Sequence, residues 1–303
     1  MTRWGTVPLE SYDLAQYAVQ IACYVCEGGN RFDAEFCRHC RAPLALAFHA
    51  GKQKVQPQLL AILGGPGVGK TSYVGMLTDM LSRQPGGLQM LAHGAFSVSL
   101  QQQTMAALGR RRFPASTNAA PEGWHWVHCD VHAPRRKRPL ELVLPDVAGS
   151  AIMEEIEAPQ RIPSIRRMFT KSGAAMVLVE TADFEGGDQE SEFSAMKIVG
   201  ELLSVPATKR KGWAHRPVAI VFTKAERCES VLENADEYAR CHAAGLWRQC
   251  HERLQRHRFF AASVAVVHVG VDAFGDRIAI PMRVEPRGIL EPFAWLADQL
   301  GGS

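Results

Sequence analysis

LLAILGGPGVGKTSYVGML, residues 59–77, is the stretch that decides the fold. Its first five residues form an apolar run that predicts a buried strand, and apolar residues recur on one face from Lys70 onward, which predicts a helix. Between them, residues 64–71 match the pattern Gly-x-x-x-x-Gly-Lys-Thr, which is specific when it joins a strand to a helix. The stretch therefore predicts a phosphate-binding loop in an α/β domain.

In such a loop the backbone wraps the phosphates and directs amide N–H groups at them, assisted by the positive end of the following helix. We expect Lys70 to contact the β- and γ-phosphates and the Thr71 hydroxyl to hold Mg²⁺. The expected nucleotide contacts are Gly64, Gly65, Pro66, Gly67, Val68, Gly69, Lys70, Thr71 and Ser72.

ELVLPDVAGS, residues 141–150, places Asp146 after a second apolar run and Gly149 three residues later. An acidic residue at this position supports Mg²⁺ in P-loop proteins, and we expect the Gly149 amide to meet the γ-phosphate. The pattern Asp-x-x-Gly is common by chance. Its place after a strand, in a chain with a complete phosphate loop, favours a functional pair over a structural turn.

RRRFPASTNAAPEGWHW, residues 110–126, is rich in turn formers and has no periodicity. A threonine here could close over Mg²⁺ when the γ-phosphate is present and be released when it leaves. Thr117 is the preferred candidate because it lies just before a predicted strand, whereas Thr104 lies in a helical pattern. A plain loop threonine is the alternative.

VAIVFTKAE, residues 218–226, ends a predicted strand with Thr223, Lys224 and Glu226. It resembles the Asn/Thr-Lys-x-Asp element of GTPases, which implies that Lys224 lies along a guanine ring and that the acid accepts hydrogen bonds from the base. Glu226 replaces the aspartate, and its extra methylene requires a shift of about 1.5 Å to restore bidentate geometry. A solvated strand end is the alternative. We expect a further base-contacting loop near Ser263 or Val269-Gly270.

CYVCEGGNRFDAEFCRHC, residues 23–40, contains two Cys-x-x-Cys pairs, formed by Cys23, Cys26, Cys37 and Cys40. Two thiolate pairs can complete a closed tetrahedral Zn²⁺ site of the structural kind. Redox dithiols and an iron–sulfur centre are the alternatives. Zinc ribbons bind protein or nucleic acid or brace a neighbouring domain, and the pattern does not distinguish these roles.

The 303-residue chain is 47% hydrophobic and 21% charged, which is ordinary globular composition. A net charge of +3 is too small to indicate a nucleic-acid or membrane partner. No window approaches the roughly 18 apolar residues that cross a bilayer, and the amino terminus has no apolar signal-peptide core. We therefore expect a cytoplasmic protein without membrane insertion, and leave nucleic-acid binding open.

The order of elements predicts an amino-terminal segment with a zinc ribbon over 1–50, a linker over 51–57, and a P-loop domain over 58–303. Apolar runs that alternate with helical stretches predict a doubly wound, mostly parallel sheet. The predicted strands are 59–63, 124–131, 140–144, 174–180, 218–222 and 263–269, and the predicted helices are 70–83, 190–203, 235–256 and 290–300.

In this order, GGPGVGKT, Thr117, DVAGS and TKAE look like the GTPase branch of the P-loop proteins. With the zinc ribbon ahead of them and RGILEPFAWL at 287–296, the chain resembles the bacterial double-GTPase family, a TRAFAC-type group. The resemblance implies a Ras-like strand order and GTP/GDP binding. It further implies a switch role in bacterial multi-protein systems, together with a protein partner that is itself a second GTPase.

We expect Mg²⁺-dependent hydrolysis of GTP that is slow without a partner, because Ser150 stands where GTPases often place a water-orienting glutamine. Arg161, Arg166 or Arg167, in a segment expected to be mobile, could supply a cation in cis, although ordinary surface arginines are the alternative. Homodimerisation across the nucleotide face is left open. Two other functions also remain: a P-loop ATPase, and a scaffold that binds nucleotide without hydrolysing it and recruits a partner through the zinc ribbon.

Overall fold

A seven-stranded mixed sheet forms the centre of the computed structural model, which describes residues 20–50, 57–83, 87–134, 136–181, 189–206, 212–271 and 277–301. The described strands are β1 (Gln20–Ala22), β2 (Gly29–Arg31), β3 (Gln58–Leu63), β4 (Gln89–Ala92), β5 (His125–His132), β6 (Leu140–Asp146), β7 (Ala174–Glu180), β8 (Val218–Thr223), β9 (His257–Ala261), β10 (Ser263–Val271) and β11 (Arg277–Arg287). The central sheet has the order β4-β5-β6-β3-β7-β8-β9.

The strands from β6 to β9 in this order run parallel, and β5 is antiparallel to both β4 and β6. Strand β3 lies between β6 and β7, and Leu59–Leu63 are all fully buried. A continuous apolar run is what a strand covered on both faces requires. From β5 to β9 the sheet has the Ras-like order that the resemblance implies, so the predicted fold class is confirmed.

Helices cover both faces of this sheet. The described α-helices are α1 (Ala45–Ala50), α2 (Lys70–Arg83), α3 (Phe96–Gly109), α4 (Gly149–Glu157), α5 (Pro163–Lys171), α6 (Glu190–Ser204), α7 (Glu229–Glu233), α8 (Ala235–His242), α9 (Ala244–Arg253) and α10 (Leu290–Gly301). Two buried clusters form the core, one on each face. Alternate residues of β5 divide between them: Trp126 belongs to one cluster, and Val127 and Cys129 belong to the other.

The predicted single helix over 235–256 is wrong, because the chain forms α8 and α9 with a break at Ala243. The break is stabilised by Glu192 on α6, whose Oε1 accepts hydrogen bonds from the backbone N–H groups of Gly245 (2.8 Å) and Leu246 (3.0 Å). A carboxylate that accepts the first unpaired amides of a helix is an effective start signal. This carboxylate belongs to a distant element, α6, so the sequence around Ala243 does not indicate the break.

The predicted sixth strand of the sheet, 263–269, is also placed wrongly. The sheet ends with β9, which pairs in parallel with β8, and β10 instead forms a two-stranded antiparallel hairpin with β11. Phe259 and Phe260 are buried, whereas in β10 only Ser263 and Ala265 are buried. The true edge strand, β9, begins directly after the predicted helix 235–256 and was not predicted.

The cysteine-bearing segment folds as the β1–β2 hairpin followed by α1 and packs on the same face of the sheet as Trp126. Leu44 and Leu46 are fully buried, and the Tyr24 hydroxyl donates to the Pro57 carbonyl at 2.7 Å. Most of the predicted linker, residues 51–56, lies outside the described residues. Within the described part of the chain, no helix is long and apolar enough to cross a membrane.

Candidate functional site

The phosphate-binding loop lies between β3 and α2, as predicted. Gly67 and Gly69 have positive φ angles of 75° and 86°, a conformation that favours glycine. The Lys70 ammonium is buried and donates to the backbone carbonyls of Gly64 (2.9 Å) and Gly65 (2.8 Å). Burial lowers the pKa of Lys70 to about 8, although the nearby charge of Asp146 acts in the opposite direction.

Three oxygen-bearing side chains meet beside this lysine. The Thr117 hydroxyl donates to Asp146 Oδ2 at 2.9 Å, and the hydroxyl oxygens of Thr71 and Thr117 lie 2.8 Å apart. Because Thr117 has only one hydroxyl proton, Thr71 must be the donor to Thr117. The loop threonine, the phosphate-loop threonine and the strand-end aspartate are therefore brought together.

Asp146 is fully buried, and its Oδ1 has no hydrogen-bond partner. Burial raises the pKa of this carboxyl, opposed by the Thr117 hydrogen bond and by Lys70. His125 Nδ1 lies 3.9 Å from Asp146 Oδ2. An unpaired carboxylate oxygen beside two hydroxyl groups is the hard-oxygen donor set that Mg²⁺ takes in nucleotide sites, so these residues fit that ion.

Gly149, the first residue of α4, lies directly against the phosphate-binding loop. A Cβ atom added to it would be 2.3 Å from the Gly65 carbonyl oxygen and 2.6 Å from Pro66 N. Only glycine allows this approach of α4 to the loop. Ser150 follows it at the rim of the same pocket.

The Thr-Lys-x-Glu element ends β8 next to the loop. The Thr223 hydroxyl donates to the Val68 carbonyl at 2.7 Å and lies 3.1 Å from the Val179 carbonyl oxygen. Lys224 has a left-handed backbone (φ 58°), and its Nζ pairs with Glu180 Oε1 at 2.5 Å. The Thr-Lys-x-Glu element is therefore packed against the phosphate-binding loop and is not a solvated strand end.

One pocket of about 430 Å³ joins these groups. Its lining contains the predicted residues Pro66, Gly67, Gly69, Lys70, Thr71, Ser72, Thr117, Gly149, Thr223, Lys224 and Glu226. Gly64, Gly65 and Val68 support it from the loop, and buried Asp146 lies behind Thr117.

An apolar wall of this pocket was not predicted. It is formed by Phe113, Ala262, Val264, Ala265, Ala279 and Ile289. Ala262 accepts a hydrogen bond from the Ala225 amide at 3.2 Å and thereby joins the β9–β10 junction to the base element. Two positions were expected for a further base-contacting loop. The one near Ser263 adjoins the wall residue Ala262, whereas Val269-Gly270 does not line the pocket. Small apolar residues belong to no recognisable motif. The only sequence signal for Ala262, Val264 and Ala265 is that they directly follow β9.

The three arginines considered as cations in cis do not line this pocket. Arg166 and Arg167 lie on α5, where Arg166 pairs with Glu201 on α6, and Arg161 pairs with Glu154 at 2.8 Å. Part of the segment expected to be mobile is thus a helix, and two of its arginines, Arg161 and Arg166, are in ion pairs.

The four predicted zinc ligands are brought together at the amino-terminal hairpin. The Sγ atoms of Cys23 and Cys40 lie 3.6 Å apart, those of Cys26 and Cys37 lie 3.5 Å apart, and all four lie within 4.8 Å of one another. Zn–S bonds of about 2.3 Å place tetrahedral sulfur atoms roughly 3.8 Å apart, so the cluster fits a Zn²⁺ site.

The sheet order, the phosphate loop and the pocket together define a P-loop nucleotide-binding protein with the architecture of a GTPase. Residues 61–210 match the family model Double-GTPase 1 (DO-GTPase1), and the chain is a double-GTPase-like P-loop GTPase.

A search of curated proteins found no match to the chain. Among solved structures, the chain is similar to a protein described as nucleolar GTP-binding protein 1 from Plasmodium falciparum. The two are 12% identical, with 82% of this chain and 90% of that chain covered and a TM-score of 0.42. A likeness this distant says nothing about the nucleotide or the reaction.

Proposed function

We propose that this protein is a GTP-binding switch that hydrolyses GTP to GDP and phosphate with Mg²⁺, slowly alone and faster with a protein partner. The observation that carries the proposal is the contact of Thr71, Thr117 and Asp146, with Asp146 Oδ1 unpaired. This arrangement links the loop that would sense the nucleotide to the residues that would hold Mg²⁺.

Lys70 supports the phosphate-binding role. Its ammonium is held by two loop carbonyls, so it is already directed across the loop, and phosphate oxygens would take the place of those acceptors. The Gly149 amide, at the start of α4 and in contact with the loop, would meet the γ-phosphate. Thr71, Thr117 and Asp146 would hold Mg²⁺, which would supply positive charge to neutralise the phosphates.

Hydrolysis requires a water to attack the γ-phosphorus while the bond from that phosphorus to the β–γ bridging oxygen breaks. Ser150 is the side chain next to Gly149, and its short hydroxyl is a poor substitute for a water-orienting amide. Among the described lining residues, the cations are Lys70, Lys224 and Arg227, and the last two belong to the base side. We propose that a partner, itself a second GTPase, supplies a further cation for the transition state in addition to Lys70.

Base selectivity is assigned to Glu226 and Lys224. Thr223 anchors their segment to the phosphate loop through Val68, so a base held there has a defined position relative to the phosphates. Glu226 lines the pocket and offers two acceptor oxygens, which suit the N1–H and 2-amino donors of guanine and not the acceptor N1 of adenine. This complementarity favours GTP over ATP.

The remaining assignments follow the same resemblance. The four cysteines would hold a structural Zn²⁺ that maintains the hairpin packed on the sheet, and the protein would act in the cytoplasm as part of a bacterial multi-protein system.

Calorimetric titration of the full chain with GTP and then ATP, each with Mg²⁺, tests the proposal. We expect tight GTP binding, weak ATP binding, and loss of both binding and turnover in Lys70→Ala. A preference for ATP would assign the protein to the ATPases, whereas undiminished binding by Lys70→Ala would overturn the site. GTP binding without turnover, even with candidate partners, would indicate a scaffold.

A further inference from the structure

A second cluster of metal-ligating side chains lies away from the nucleotide pocket, on the outer strands of the sheet. His128 is on β5, Glu141 is on β6, and His93 follows the end of β4. Asp130 and Glu141 are register partners, and the His93 amide donates to the His128 carbonyl at 2.7 Å. Because alternate residues of a strand share a face, His128 and Asp130 project to the same side.

The three ligating groups are close together. One ring nitrogen of His93, one of His128 and a carboxylate oxygen of Glu141 lie within 4.8 Å of one another. The two imidazole rings are 4.6 Å apart between centroids, and His128 Nε2 is 2.6 Å from Glu141 Oε1.

Two ring nitrogens in this cluster are unsatisfied. His128 is only 1% exposed, and its Nδ1 has no hydrogen-bond partner. His93 Nε2 is also buried and makes no aligned hydrogen bond, although it lies 3.1 Å from Asp130 Oδ2. A buried polar atom without a partner costs free energy. A cation bound between these side chains would give His93 Nε2 a partner.

The cluster lies beneath the segment that carries the four cysteines. His49 is on α1, and its ring contacts those of His128 and His93 with centroid distances of 5.8 Å and 6.2 Å. The cluster is also separate from the Asp146 site, because His125 pairs with Asp146 in the sheet and His128 lies three residues further along β5. Three residues correspond to about 10 Å along a strand.

We propose that His93, His128 and Glu141 form a second metal site, for a borderline divalent transition ion such as Zn²⁺, with Asp130 beside it as a supporting carboxylate. Two imidazoles and a carboxylate suit zinc and are poor ligands for Mg²⁺. A tetrahedral site with bonds of about 2.0 to 2.2 Å has ligand atoms roughly 3.4 Å apart. The contact between His128 and Glu141 must therefore open slightly as the metal enters, and the remaining ligand position is left to water or Asp130.

His49 of α1 packs against the two ligand rings, so this site lies between the helix that follows the cysteine cluster and the outer strands of the sheet. A bound metal there would stabilise the packing of the amino-terminal segment on the P-loop domain. The inference does not depend on which nucleotide the domain binds.

Metal content of the full chain after equilibrium dialysis against Zn²⁺ tests the proposal. The variants are His93→Gln and Glu141→Gln, at partly exposed positions, and the control is His215→Gln, which alters a surface hydrogen bond to Gln255. We expect two zinc ions per chain in the unmodified protein and in the control, and one in each variant. One zinc in the unmodified protein, or two in both variants, would overturn the proposal.

Cobalt substitution gives an independent readout that also reports on folding. Thiolate-to-cobalt charge-transfer bands report the cysteine site, and we expect them to be unchanged in His93→Gln while the cobalt bound at the second site is lost. GTP binding by the same variant is measured in parallel. Because the nucleotide pocket contains none of these side chains, this measurement tests the proposed function independently of the second metal site. Identical cobalt spectra and stoichiometry for His93→Gln and the unmodified protein would count against the site.

Discussion

The hydroxyl of Thr117 donates to the carboxylate of Asp146 over 2.9 Å, although 29 positions separate the two residues in the chain. This bond holds an otherwise irregular loop against the end of β6. In the proposed function a bound Mg²⁺ would compete for the same oxygens, so the loop and the proposed Mg²⁺ site would be physically coupled, which is the relationship that a switch requires.

Replacing Thr117 with valine removes this hydroxyl while keeping the shape of the side chain. We expect GTP affinity in the presence of Mg²⁺ to fall about tenfold or more, because a polar contact near a charged group contributes roughly 1.5–3 kcal/mol. Titration calorimetry with and without Mg²⁺ measures the effect. Thr104→Val is the matched control, since Thr104 is buried with an unpaired hydroxyl, and it should leave affinity unchanged. An equal response of both variants would contradict the assignment of Thr117.

Replacing Gly149 with alanine places a methyl group 2.3 Å from the Gly65 carbonyl oxygen. The loop or α4 must move, so we expect GTP affinity to drop by about tenfold or more, corresponding to ~1.4 kcal/mol. Gly109→Ala is the comparison, because its Cβ would meet no atom within 4 Å. That variant should keep its affinity and gain up to about 1 kcal/mol in helix stability. Unchanged nucleotide binding by Gly149→Ala would show that the contact is dispensable.

Replacing Glu226 with alanine should weaken GTP binding by about 1–3 kcal/mol while ATP binding stays the same, because guanine loses its acceptors. Replacing it with aspartate should preserve or improve GTP selectivity, since the shorter acid has the geometry of the GTPase element. Competition between the two nucleotides in one assay gives the selectivity ratio. If Glu226→Ala changes the affinities for GTP and ATP equally, the residue does not read the base.

Thiol reactivity should distinguish the cysteines by burial. Cys241 is exposed, whereas Cys129 and Cys250 are fully buried and burial raises the pKa of both thiols. Since the thiolate is the reactive form, we expect iodoacetamide to label Cys241 first in the native protein. A zinc chelator should then expose the four cysteines of the amino-terminal hairpin. Mass spectrometry after timed labelling checks both, and rapid labelling of Cys129 in the folded protein would contradict its burial.

Acid should destabilise the protein partly through His257. Burial lowers the pKa of this residue in the folded state, where its Nδ1 is 2.9 Å from the Leu254 carbonyl oxygen. The unfolded chain binds a proton near pH 6.5, so stability from this group is present above that pH and is lost as pH falls. We expect His257→Gln to lose less free energy of unfolding between pH 7 and 5 than the unmodified chain. Exposed His268→Gln is the control, and parallel curves for all three proteins would refute the prediction.

Sequence reasoning was most successful where a local pattern has only one physical solution. Helix α2 begins at Lys70 and ends at Arg83 as predicted, because the glycine-rich turn and the apolar stripe specify it together. Strand β7 also has its predicted bounds, since its six consecutive apolar residues, 174–179, favour a buried strand. The four cysteines meet for a similar reason: two tight Cys-x-x-Cys turns leave few other arrangements.

The amino-acid sequence by itself determined the phosphate loop, the mostly parallel sheet and the cysteine cluster, because each follows from a local pattern or spacing, and the Ras-like strand order is what the resemblance implied. The tertiary structure alone decided the break at Ala243, which depends on a carboxylate from Glu192, and the edge strand β9, which depends on pairing with β8. It also decided the meeting of His93, His128 and Glu141, which come from two strands and from the residue that follows a third. Each of these depends on a contact between segments distant in the chain, and such contacts leave no periodicity in either segment.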